Sequence, residues 1–169
     1  IALRQHGDAE QALAVLRELH ARVRTLPPAQ RDRHSISVVF SLGNLLSMLG
    51  RMREAADVYL QAIADDPHLR RAYLSTGSFA FMYSDRGPTW EAMLLDELTR
   101  TLPDDREWRL HAFDQLARLY QHQRRWPEAE AILRASLTLQ TPADPMYAHT
   151  MHDLYWHLRQ LGRVPEAIA

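Results

Sequence analysis

A dipeptide recurs along this chain at nearly even intervals: Glu54-Ala55, Glu91-Ala92, Glu128-Ala129 and Glu166-Ala167, with Gln11-Ala12 as a near copy. Five residues before the Ala stands a Gly in four of these five places, Gly7, Gly50, Gly87 and Gly162, and Arg124 fills the fifth. A period of roughly 40 residues is the signature of stacked supersecondary units. One such unit cannot bury its apolar face alone, so neighbours stack and share a continuous core.

Each unit reads as two helices. From Ser37 to Leu49, the residues Val38, Val39, Leu42, Leu45, Leu46 and Leu49 form one broad apolar face at helical spacing. Gly50 ends that helix, because Gly accepts the left-handed conformation that helix ends commonly need. Met52 to Ala64 is the second helix, with Ala55, Val58, Tyr59 and Ile63 turned inward. Asp66-Pro67 then opens the next unit, Asp capping free amides and Pro fitting the first turn, and Asp144-Pro145 repeats the pair. Pro88, Pro127 and Pro165 occupy the first turn of three second helices.

These residues resemble the tetratricopeptide repeat family, whose pattern is W-x2-L-G-x2-Y, then A-x3-F, then P. The best unit supplies Val39, Leu42-Gly43, Leu46, Ala55, Tyr59 and Pro67 at the family spacing. Another gives Phe113, Leu116-Ala117, Tyr120, Ala129 and Leu133, with Pro142 one place late, and the last gives Met151, Leu154-Tyr155, Leu158 and Ala167. Tyr155 stands where a small residue is expected, which predicts looser or shifted packing. In the unit between, Tyr73, Thr76-Gly77 and Ala80 fit the first helix, but Ser84 to Trp90 lengthens the link. Asp96 there takes the place of an aromatic, so either the helix is rotated or the Asp is exposed.

The resemblance implies an all-α fold, a right-handed superhelical solenoid of antiparallel helix pairs. The chain divides into a partial repeat 1–30, repeats 31–66, 67–103 and 104–142, and a partial repeat 143–169. Ile1-Ala2-Leu3 and Val164 to Ala169 carry no polar cap, so further repeats are expected beyond both ends, and end-to-end self-association of this segment with them.

Composition narrows the partners. A formal charge of -1 with no basic cluster does not fit a nucleic-acid partner. No stretch approaches the roughly 18 apolar residues of a membrane span. The absence of Cys removes thiolate chemistry and Cys-based zinc sites, and leaves bacterial periplasm and cytoplasm both open. Every basic side chain is Arg, the composition of a G+C-rich bacterial genome.

In the family, the first helix of each pair lines a concave groove that holds peptides or partner segments. By that resemblance the lining is Ser37, Phe40 and Asn44, then Arg71, Leu74 and Ser78, then His111, Asp114 and Arg118, then His149, His152 and Trp156. Arg71 and Arg118 would pair acidic groups, and Phe40 and Trp156 would anchor apolar ones. Arg51, Arg53, Arg124 and Arg125, near the turns, offer a convex alternative. The family's chaperone-tail clamp needs Lys where Phe40 stands, and the chain has no Lys.

No metal, cofactor or catalytic site is expected. His149, His152 and Asp153 share one helical turn, with His111 and Asp114 as neighbours, but no H-E-x-x-H occurs. G-x-S-x-G, the P-loop and G-x-G-x-x-G are all missing. Asp65-Asp66 and Asp104-Asp105 fit helix capping, and Trp90, Trp108 and Trp126 fit packing between units. The expected function is a protein-interaction scaffold, set by family analogy in bacterial envelope or exopolysaccharide export machinery. Its rivals are a substrate-selecting repeat region of an enzyme such as a glycosyltransferase, and a peptide-sensing regulatory domain.

Overall fold

The computed structural model describes residues 2–27, 30–31, 33–101, 104–163 and 166, with side chains from residue 8 onward except at 33–35. The described residues form α1 (Ala2–Thr25), α2 (Arg33–Met48), α3 (Met52–Asp65), a 3-10 turn (Pro67–Leu69), α4 (Arg70–Thr76), α5 (Ser78–Met82), α6 (Gly87–Arg100), α7 (Arg106–His122), α8 (Trp126–Leu137) and α9 (Tyr147–Gln160). The chain divides into two compact units, 1–87 and 88–169.

In the first unit α2 packs between α1 and α3. Tyr59, on α3, is the wedge of its core: its side chain is fully buried, and burial pushes its phenol up to about 12. It explains the small residues of the repeat. A Cβ on Gly43 would lie 2.4 Å from Tyr59 Cζ, and one on Gly77 would lie 2.7 Å from Phe81 and 2.8 Å from Tyr59. Such overlaps force side chains off their rotamers.

Three turns share one geometry. Gly50 (φ 74°), Arg124 (φ 57°) and Gly162 (φ 73°) are left-handed. The next amide in each reaches back five residues: Arg51 N to Leu46 O at 2.9 Å, Arg125 N to Tyr120 O at 2.8 Å, and Arg163 N to Leu158 O at 2.8 Å. This is the Schellman closure, in which an amide beyond the helix satisfies an orphan carbonyl within it. Arg124 holds a conformation that suits Gly, at a cost of order 1 kcal/mol.

The same turns explain the Glu of the repeating dipeptide. Arg51 donates to Glu54 at 2.5 Å, Arg125 to Glu128 at 3.0 Å, and Arg163 to Glu166. Each guanidinium also reaches an acid on the preceding second helix: Glu10 at 3.8 Å, Glu91 at 2.7 Å and Glu130 at 2.6 Å. Arg86 makes the corresponding link to Asp57 at 2.7 Å. The arginines placed near the turns as a convex contact surface are thus partly spent on joining repeats: Arg51 and Arg125 are paired, and Arg53 approaches Asp85 at 3.5 Å.

Several local expectations are corrected. Gly7 lies inside α1, which runs unbroken from Ala2 to Thr25; the residues around it are good helix formers that outweigh one Gly. Neither Asp66 nor Asp144 caps a helix. Asp66 makes no side-chain cap bond, and only its carbonyl accepts, from Leu69 N. Asp144 closes its own turn, accepting from Thr141 N and Oγ1 and from Arg106. Asp65 ends α3 and pairs with Arg24 at 2.7 Å, whereas Asp105 does cap α7 through Trp108 N at 3.3 Å. Pro88 and Pro127 sit in first turns as expected, and Pro165 lies outside the described residues.

The first helix of the second repeat is not continuous: the 3-10 turn, α4 and α5 divide it, with a break at Gly77. Its link is shorter than expected, since α6 already begins at Gly87 and contains Trp90. The helix is also rotated. Trp90 and Leu94 are fully buried while Ala92 is exposed, and Asp96, half-buried, pairs with Arg100 at 2.9 Å.

In the second unit α8 packs against both α7 and α9. Ala117, Leu133, Leu154 and Leu158 make a shared apolar cluster across the three helices. Tyr120 anchors the turn: its hydroxyl donates to Glu91 at 2.9 Å and Arg125 lies 4.4 Å over its ring. Burial and that acceptor push its phenol up to about 12.

Candidate functional site

The second unit contains a cleft of about 510 Å³, walled by α7 on one side and α9 on the other, with α8 beneath. The 3.6-residue period brings Glu107, Leu110, His111 and Asp114 to one side of α7. From α9 and the link before it come Met146, His149, Thr150 and Asp153, while Leu133, Ser136 and Gln140 close the floor.

Its chemistry is weighted toward acceptors. Gln140 donates to Ser136 Oγ at 2.9 Å and Thr150 Oγ1 at 3.1 Å, and its buried Oε1 has no partner. His111 Nε2 is likewise buried without a partner. Burial lowers the His111 pKa, with Asp114 opposing that shift and Arg118 reinforcing it. Glu107 is exposed. Asp153 approaches His149 and His152 at 3.6 Å each. Arg106, the guanidinium of the lining, is engaged elsewhere: it donates to Leu139 O and to Asp144, both at 2.6 Å.

Of the residues expected to line a groove, this cleft brings together His111, Asp114 and His149. The others lie apart from it. Arg118 is exposed but pairs with Asp114 at 3.0 Å, one helical turn away. His152 is exposed, and Trp156 stacks edge-on against Trp126 at 5.3 Å. In the first unit Phe40 is half-buried against Tyr73, ring centroids 5.6 Å apart. Asn44 is exposed and accepts from Tyr59 Oη at 3.4 Å, while Ser37 is exposed and Arg71 and Ser78 are half-buried. Leu74 is the clear correction: it is 0% exposed and belongs to the core. The broken helix rolls that position inward.

Sequence reasoning missed Glu107, Gln140 and Met146 as neighbours of this cleft. Glu107 lies one turn before His111, and that spacing was readable. Gln140 and Met146 were not, because they come from the link, whose path follows from the Thr141–Asp144 turn. Among the described residues no three His, Asp or Glu side chains converge as metal ligands would. No described helix is long and apolar enough to cross a membrane.

Paired helices stacked by shared apolar contacts, with repeating turns, define an all-α helix-pair repeat protein. The chain carries tetratricopeptide repeats: family models described as tetratricopeptide repeat match residues 39–71 and 109–141. The fold is similar to a Podosopora anserina crystal structure described as the nearly identical TPR-like repeats of a kinesin light chain. That likeness has a TM-score of 0.69 at 17% identity, covering 96% of this chain and 83% of the other. A search of curated proteins gives no match. Repeats of this family point to a protein–protein interaction scaffold.

Proposed function

We propose that this scaffold takes a peptide or partner segment in the cleft between α7 and α9, with His111, Asp114 and His149 among the contacts. One observation carries the reading. The first-unit pocket that Tyr73 closes, set among α1, α2 and α3, leaves only about 20 Å³, whereas the cleft between α7 and α9 keeps about 510 Å³ open. Ligand sites are concave, mostly apolar and furnished with a few polar groups, and Leu110, Phe113, Leu133 and Met146 with Gln140 and His111 meet that description. The repeat boundaries 31–66, 67–103 and 104–142 belong to the same proposal. An envelope or exopolysaccharide-export setting is supported by analogy alone, and co-fractionation with envelope assemblies tests it.

The test of the cleft is selection of displayed random 12-residue peptides on the whole chain, followed by binding to a Leu110→Trp variant that fills the opening. The reading expects selected peptides to lose at least ten-fold in affinity while the variant's helical circular dichroism is unchanged. Peptides that bind both proteins equally would place recognition elsewhere.

A further inference from the structure

Resting on that reading, we infer that the cleft selects a basic side chain, Arg or Lys, from its partner segment. Its walls present three carboxylates, Glu107 and Asp114 from α7 and Asp153 from α9. Against them stands one lining guanidinium, Arg106, whose hydrogen bonds and charge are taken up by Leu139 O and Asp144. Asp114 shares its charge with Arg118, which is half exposed. Glu107 has no ion-pair partner among the described residues.

The neutral groups point the same way. Both amide hydrogens of Gln140 are used within the protein, so its buried Oε1 offers only acceptance. His111, half-buried, is held toward its neutral form by desolvation, and so adds no fixed positive charge. A cleft that combines carboxylates and a lone amide acceptor with apolar Leu110, Phe113, Leu133 and Met146 suits a side chain with a long methylene stem and a donor-bearing cationic head. Leu110 and Met146 offer apolar surface for the stem, and the carboxylates and Gln140 offer acceptors for the head. A guanidinium, with five donors in a planar fork, fits paired carboxylates best. An incoming Glu or Asp would meet like charge and an acceptor with nothing to accept.

The experiment uses four fluorescent heptapeptide pools on the full chain, random except for a central Arg, Lys, norleucine or Glu, read by anisotropy. Binding to the native protein is compared with a Glu107→Gln/Asp153→Asn double variant and with Leu110→Trp, all three checked for equal melting temperature. The expected result is an Arg pool at least ten-fold tighter than norleucine, Glu weakest, and a preference collapsing to within two-fold in the double variant. Raising the salt concentration should also compress the preference. Arg and norleucine pools that bind equally, both lost in Leu110→Trp, would overturn the basic selectivity and leave the cleft standing. Binding that Leu110→Trp does not alter would overturn both.

Discussion

The two units meet the same geometric problem, the space between successive first helices, and solve it in opposite ways. In the first, Tyr73 sits edge-on against Phe40 and is itself buried, and little room remains. In the second, Asp114 stands at the register of Phe40 and Met151 at that of Tyr73, and a cleft remains. A repeat motif fixes the helix pair and its core; it leaves the facing positions free to become either core or site.

The largest effect that bears on this contrast concerns Tyr73. Tyr73→Ala should remove about 3–5 kcal/mol of stability, the range for deleting a buried aromatic, whereas exposed His149→Ala should stay within about 0.5 kcal/mol. Denaturant titration of both variants checks this, and a Tyr73 loss below that of His149 would break the contrast. The next effect compares the turn arginines. Arg125 joins Glu91, Glu128 and Tyr120, and Arg125→Ala should cost about 1 kcal/mol, as for a partly exposed ion-pair network. Arg51→Ala should cost less, because its second acid, Glu10, stands at 3.8 Å; equal losses in the same titration would remove the distinction.

The left-handed turns give a smaller effect of opposite sign. Arg124→Gly should stabilise the chain by up to about 1 kcal/mol, and Gly50→Ala should destabilise it by a similar amount. Melting temperatures moving in opposite directions would confirm that both residues hold the same strained conformation. The smallest effect is a pH dependence. Burial lowers the pKa of His20 and of His111 below the ordinary value of about 6.5. The unfolded chain therefore binds more protons as pH falls below that value, so stability declines there and levels off below the folded values. A melting-temperature profile from pH 8 to 5 should fall on the acid side, less steeply in a His111→Gln variant; identical slopes would remove His111 from the account.

Much of the fold was legible because it depends on local chemistry. The Gly50 and Gly162 turns, the inward Ala55 and Tyr59, and the first-turn Pro127 each follow from conformation or helical period at one position. What could not be read depends on partners distant in sequence. The rotation of α6 that buries Trp90 and Leu94 is set by packing, and so is the break at Gly77, where Phe81 and Tyr59 crowd the backbone. The Arg125–Glu91 link spans helices whose approach no local pattern reveals. For the site, the family register placed His111, Asp114 and His149 on first helices, yet it also put Leu74 at an equivalent position, which is buried in the core. Motif register identifies candidate faces; the depth of each position is decided by the neighbouring helix.

The most direct test is hydrogen–deuterium exchange of the whole chain with and without a saturating cleft-selected peptide. Added protection should concentrate in 106–114 and 146–153, with 36–44 and 71–78 unchanged. Protection that falls instead on 36–44 and 71–78, or on the turns carrying Arg51 and Arg125, would contradict the assignment of binding to the second unit's cleft.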